Sequence, residues 1–397
     1  MTTTSGATSG ATRKIPFHRP SIGAAERQAV IEVLDSGWLT TGQRALDFEE
    51  AVRARVGSAH AVAVNSATAA LHLILEALGV RSGDEVVVPT YTFASCGEVC
   101  RYLDARPRLA DVDPVTFNAT AETIEAQLRP ETKAIMVVHF AGALADMEPI
   151  LELARSRNLP VIEDAAHALP CSRGGRAAGS WGTAAALSFY ATKTVTTGEG
   201  GMIVTDSAEI ANRARSMRLH GLSRDAWKRY TGSGNWYYEI EDAGYKYNLT
   251  DLAAAIGVVQ LERAESMRLE RERVARRYGE AIAAAGLGEL VELPPMPAPD
   301  EIQARHLYPL RLNLDRVKLT RAETIDRLGE AGIGTSVHFI PLHLHPYYRR
   351  TYGYKPEDLP VAKLQYEREI SLPIYPDLTN GDVDYVVERL AEIVTAG

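Results

Sequence analysis

The sequence predicts an α/β protein: a large domain on a seven-stranded, mostly parallel sheet, followed by a smaller α+β unit. Three observations predict it. Between about residues 60 and 205, short β-branched runs alternate with helix-length segments, the pattern of βαβ units. Several of these runs are nearly continuously apolar, as strands covered on both faces must be. The chain of 397 residues also exceeds one domain of roughly 150 residues, so a second unit has room to fold.

The elements follow in order. Residues 1–13 are nearly all Thr, Ser, Gly and Ala, with no large side chains to offset ordering entropy, so they read as a flexible tail. The large domain is expected over 14–255. Its strands are Ala61–Val64, Glu85–Val88, Arg108–Asp111, Ala134–His139, Pro160–Glu163, Ala184–Phe189 and Met202–Thr205. Between the first two, Ala70, Leu71, Ile74, Leu75 and Leu78 recur at helical spacing, so a helix opens directly after Asn65 and Ser66. From 251 to 285 the chain is rich in Ala, Leu, Glu and Arg without Pro. It reads as one long helix or two in sequence, capped by Thr250 or Asn248, linking to a small domain over 256–397. Leu293–Asp300 holds four prolines and reads as a loop.

Composition narrows the function classes. A net charge of −8 offers no positive field to a polyanion, so nucleic acid is not expected as a partner. Three cysteines without a CxxC pair suggest neither a disulfide framework nor a structural zinc site. With no apolar h-region at the start and no run of 18 apolar residues, a cytoplasmic protein without membrane spans is expected.

Three motifs carry chemistry. In VIEDAAH, Val161–His167, an apolar strand ends in two carboxylates, and ligands of open parallel sheets sit at such strand ends. Alternation sends Glu163 and Asp164 to opposite faces, so one acid serves the site, unless Asp164 merely caps a helix. In SFYATKTVTTGEGG, Ser188–Gly201, Lys193 follows a strand end among small and hydroxyl residues; burial there would lower its pKa and let it attack carbonyls. In VNSATAA, Val64–Ala70, small residues open a helix after a strand, leaving N–H groups for a phosphate around Thr68. Neither a Walker P-loop nor a GxGxxG fingerprint is present, which weakens nucleotide hydrolysis and nicotinamide chemistry. A phosphate cradle, a strand-end acid and a Schiff-base lysine are together what pyridoxal 5'-phosphate (PLP) requires.

From Ile15 to the C-terminus the sequence also resembles the DegT/DnrJ type of nucleotide-sugar aminotransferases, fold-type I PLP enzymes. The matching words include SGWLTTG (Ser36–Gly42), NSATAALH (Asn65–His72), GDEVVVPTYTFAS (Gly83–Ser95), KYNLTD (Lys246–Asp251), RHLYPL (Arg305–Leu310) and GIGTSVHFIPLHLHPYY (Gly332–Tyr348). The resemblance implies that Lys193 holds the cofactor aldehyde, that Asp164 pairs with the pyridinium nitrogen, and that Ser188 with the backbone of Thr68 and Ala69 binds the phosphate. It places Phe93 on the pyridine ring, unless Phe93 is a core aromatic, and His167 by the ring hydroxyl. Asn248 would reach the phosphate of a second subunit, unless it caps a helix, so a homodimer with shared sites is implied.

The intact Lys193 favours transamination over the dehydratases that carry histidine there. The implied donor is L-glutamate and the implied acceptor a UDP-linked 4-keto sugar. Trp38, Thr40, Tyr308 and His338 are candidates for the sugar pocket, and Arg224, Lys228 and Arg229 for the diphosphate, although such a basic cluster also suits a solvated surface. The rival readings are amination at C3 of a dTDP-3-keto sugar, a keto-inositol acceptor, and a PLP-bound regulator without turnover. His338, His343 and His345 lack an accompanying carboxylate or cysteine at ligand spacing, so no metal is expected.

Overall fold

The computed structural model describes residues 13–222 and 238–396. After α1 (Ala24–Ser36) and α2 (Gln43–Val56), strands and helices alternate: β1 (His60–Val64), α3 (Ala67–Ala77), β2 (Glu85–Pro89), α4 (Ala94–Tyr102), β3 (Arg106–Ala110), α5 (Ala121–Glu125), β4 (Thr132–Val138), α6 (Met147–Ser156) and β5 (Val161–Asp164). A small hairpin, β6 (Ser172–Arg173) and β7 (Arg176–Ala177), precedes β8 (Ala184–Ser188), β9 (Gly201–Thr205) and α7 (Ala208–Met217). The seven expected strands are all present, with ends shifted by a residue or two.

They form one sheet in the order β1-β9-β8-β5-β4-β2-β3. Pairings from β3 through β8 are parallel; β9 pairs antiparallel with both β8 and β1 and is thus the one reversed strand. Both faces are buried, by strict alternation. Val62, Val64, Val86 and Val88 face one apolar cluster, while Ala61, Ala63 and Val87 face clusters on the other side. Because β1, β5 and β8 run the same way, Val64, Asp164 and Ser188 reach one edge together.

The predicted helical segment after Thr250 is two helices, α8 (Asp251–Glu262) and α9 (Ala264–Ala284), with Thr250 Oγ1 capping the first by accepting the Ala253 N–H. The break at Arg263 is held by its guanidinium, which donates to Glu26 and Ser21. α8 packs on α1 and α2. Beyond it come β10 (Val291–Glu292), β11 (Glu301–Ile302), β12 (Tyr308–Leu312), α10 (Arg321–Glu330), α11 (Pro346–Tyr352), α12 (Pro360–Arg368), β13 (Glu369–Leu372) and α13 (Asn380–Thr395). β10, β12 and β13 form a three-stranded sheet, and β11 joins the hairpin β6–β7. Core membership changes within α9: Met267 packs with the large sheet, Val274, Tyr278 and Ile282 with the C-terminal one. Among the described residues no helix is long and apolar enough to cross a membrane.

Candidate active site

The two acids at the end of β5 have separate fates. Glu163 is fully buried and accepts the N–H groups of Gly179 (2.8 Å), Trp181 (2.7 Å) and Gly182 (2.6 Å), with His139 Nε2 at 2.8 Å. It is consumed in holding the turn before β8. Asp164, on the other face, accepts the Ala166 N–H (3.0 Å) and the Cys96 thiol (2.9 Å). Burial, then the Asp164 charge and that bond, push the Cys96 thiol pKa well up, so Cys96 stays protonated as a donor to the carboxylate.

Lys193 lies between β8 and β9 on a loop stapled at both stems. The Phe189 N–H donates to Gly200 O (2.9 Å), the Thr197 N–H to Phe189 O (2.9 Å), and the Thr194 hydroxyl to Leu169 O. Lys193 Nζ stands 3.5 Å from His306 Nε2. Withdrawal from bulk water lowers the lysine pKa from 10.5 to about 8, against the opposing pull of Asp164. Imidazoles gather around it. His167 and His306 have ring centroids 4.4 Å apart, and burial, then the Lys193 charge, holds both well below the ordinary histidine range. His338 is brought to about 4 by the same two causes, and His18, bonded to Ala191 O, to about 4 by burial, Arg271 and Lys193. All four rings are therefore neutral near pH 7. His167 Nδ1 and His306 Nδ1 are buried without a hydrogen-bond partner.

The third motif also reaches this edge. Gly201 is in register with both Ser188 and Val64, so the strand end, the reversed strand and the start of α3 meet. A Cβ on Gly201 would collide with the Ser66 backbone, which is why the approach requires glycine. Ser66 caps α3 by accepting the Ala69 N–H at 3.1 Å. The Ala69 N–H thus serves the cap here, and helix geometry leaves the N–H groups of Ala67 and Thr68 without an intrahelical acceptor.

The other expected residues divide. Phe93 precedes α4 with 61% of its surface exposed, its ring 5.9 Å from Phe339, which stacks near His167 at 5.8 Å. His338 joins the same cluster. Asn248, Trp38 and Thr40 meet elsewhere: Asn248 donates to Thr41 Oγ1 (2.7 Å), Trp38 Nε1 to Thr41 O (3.1 Å), and Thr40 O accepts the Asp251 N–H. Asn248 lines an open depression of about 430 Å³ with Asn65, Thr197 and Glu199. Tyr308 lies apart from that cluster: 3% exposed and stacked on Tyr278 at 4.7 Å, it packs in the C-terminal core. His306, two residues earlier, is the RHLYPL residue that enters the site. Arg224, Lys228 and Arg229 lie outside the described residues. His343 and His345 are bonded to Thr90 Oγ1 and Ile340 O, and among the described residues no cluster of three metal-ligating side chains occurs.

An amine of lowered pKa, a carboxylate on a fixed thiol, an orphaned imidazole nitrogen, a helix N-terminus and an exposed aromatic face form a donor set that fits a phosphate-bearing pyridine aldehyde such as PLP. The comparisons with known proteins agree. Residues 20–391 match the DegT/DnrJ/EryC1/StrS aminotransferase family. The chain is 46% identical over 382 residues to the spore coat polysaccharide biosynthesis protein SpsC of Bacillus subtilis, covering 96% of this chain and 97% of that one. Its fold is similar to the aminotransferase TlmJ of Streptoalloteichus hindustanus (TM-score 0.88, 33% identity, 97% and 100% covered). It is equally similar to Spr1654 of Streptococcus pneumoniae in its PLP form, described as a sugar aminotransferase (TM-score 0.88, 30% identity, 97% and 99% covered).

Proposed function

Because the chain belongs to the DegT/DnrJ/EryC1/StrS aminotransferase family, whose members are PLP-dependent, we propose that it moves the amino group of L-glutamate to the C4 ketone of a UDP-linked keto sugar, as a homodimer with shared sites. The observation that carries the reading is Lys193 Nζ, with its pKa lowered to about 8 between Asp164 and the imidazole cluster. Such an amine both gives and takes a proton near neutral pH, so it serves as acid and base at the reacting carbon. When bound, PLP supplies the electron sink for the pair left on that carbon.

The remaining roles are those of the chain's own groups. Asp164, oriented by Cys96 and Ala166, holds a protonated ring nitrogen. The Ser188 hydroxyl and the Thr68 N–H at the start of α3 hold the phosphate. His167 offers its unpartnered Nδ1 to the ring oxygen, and Phe93 its open face to the ring. The partner's Asn248 completes the phosphate site across the dimer. In support of that arrangement, Asn248 donates to Thr41, whose carbonyl accepts from Trp38, and it shares its depression with Val30 of α1, a helix that leaves Ile31 and Leu34 exposed. His338 contacts the sugar, and Trp38 and Thr40, gathered with Asn248 around Thr41, reach it from across the dimer.

UDP and C4 rest on the resemblance of the SGWLTTG and VHFIPLHLHPYY segments to enzymes that aminate such sugars, and the role of SpsC in polysaccharide biosynthesis supports a sugar acceptor. The test is the absorption spectrum of the purified protein, before and after glutamate and then a panel of keto sugars. Glutamate should convert the PLP band to that of pyridoxamine phosphate, and a UDP-4-keto sugar should restore it. Restoration by 3-keto sugars alone would replace the C4 assignment, and no response to glutamate would overturn transamination.

A further inference from the structure

His338 is held by a buried chain of groups from β13. Its backbone N–H donates to Glu369 Oε2 (3.0 Å), its Nδ1 lies 2.9 Å from Ser371 Oγ, and Ser371 Oγ lies 2.5 Å from Glu369 Oε1. Glu369 and Ser371 are both fully buried, and Ser336 and Ser371 exchange backbone hydrogen bonds that lock the two segments together. A serine hydroxyl has one proton, so between these neighbours it donates to one and accepts from the other.

We propose that Glu369 and Ser371 are positioning residues that set the tautomer of His338, and so decide whether its Nε2 offers the substrate a donor or an acceptor. With Glu369 neutral, the acid O–H donates to Ser371, Ser371 donates to His338 Nδ1, and the ring proton resides on Nε2. That places a donor toward an oxygen of the keto sugar. With Glu369 ionised, Ser371 donates to the carboxylate and accepts from Nδ1–H, and Nε2 becomes an acceptor. Ionisation releases one proton: that of Glu369 passes to Ser371, that of Ser371 to His338 Nδ1, and the Nε2 proton leaves to solvent on the site side. Backbone N–H donation to Oε2 persists in both states, so the ring stays in place while its polarity reverses.

Burial raises the Glu369 pKa to about 8, opposed by Ser371, the His338 N–H and Arg321 at the start of α10. Tyr91 also faces Glu369, and Arg321 lies over Tyr366. On the site side His338 faces Lys193, whose charge lowers its pKa, as well as His167 and His306. The donor form therefore prevails at neutral pH.

The ligand half of this inference rests on the keto-sugar reading, whereas the relay does not. The test uses the PLP-loaded enzyme labelled with ¹⁵N-histidine, its His338 signals identified by their loss in His338→Gln. Wild type should show the Nε2–H tautomer near pH 6.5 and shift toward Nδ1–H by about pH 9.5. Glu369→Gln, whose amide mimics the neutral acid, should hold the Nε2–H form at both pH values. Ser371→Ala should lose the preference and raise KM for the keto sugar about threefold to tenfold with kcat little changed. A wild-type tautomer indifferent to pH, or unchanged in Ser371→Ala, would overturn the relay even if turnover is as proposed. An intact relay with unchanged KM would overturn its role in recognition.

Discussion

At the scale of single residues, the site depends on one amine kept away from water. Lys193→Ala should lower turnover by at least about 10²–10⁴-fold, the usual worth of an acid–base group, with the fold intact by circular dichroism. Its burial also sets a pH dependence. A lysine near 10.5 when unfolded and about 8 when folded binds fewer protons in the native state between those values. Stability of the cofactor-free protein should therefore rise as pH climbs from about 8 to about 10.5, and denaturant midpoints of wild type against Lys193→Met will show whether that rise disappears with the amine. The positions of the proposed reactive residues were legible: Asp164 ends β5 and Lys193 lies on the loop after β8, both marked by the apolar runs. Which of Tyr308 and His306 enters the site was not. Arg305 has a left-handed φ of 48°, and β12 begins only at Tyr308, so alternation counted through the motif does not carry across the kink. Phe339, Glu369 and Ser371 likewise escaped the sequence, because their proximity to His338 arises from packing between segments distant along the chain.

At the scale of elements, the parallel strands were readable because burial on both faces forces continuous apolar runs, and Ser66 before Ala67 is an N-cap signal that explains why Ala69 serves the helix. The two-way pairing of β9 was not readable, since a buried strand looks alike in either direction. Its first residue makes the clearest element-level prediction. Gly201→Ala forces the added methyl into the Ser66 backbone, so it should cost about 1–3 kcal/mol in urea unfolding and weaken PLP binding by displacing the start of α3. An unchanged midpoint would show that the junction has slack.

At the scale of the whole molecule, α1 leaves Ile31 and Leu34 exposed and is followed by the exposed Trp38 and Leu39, apolar surface suited to the proposed dimer contact. Ile31→Lys combined with Leu34→Lys should shift the sedimentation coefficient toward that of a monomer and reduce PLP affinity together, since the phosphate would lose a donor. The seam between the two cores also runs through the site itself. Lys193 and Asp164 are anchored to the large sheet, while His338 is tied by Ser336 and Glu369 to the C-terminal one. His306 is pinned from both sides, its N–H donating to Ala141 O and its carbonyl accepting from the buried Arg271 of α9. A substrate held by both sets of groups acts as a clamp between the halves of the chain. By thermodynamic reciprocity, whatever the substrate contributes to closing that seam, a loosened seam must subtract from its affinity, so substitutions at Arg271, between Met267 and Val274, reach the substrate without touching it.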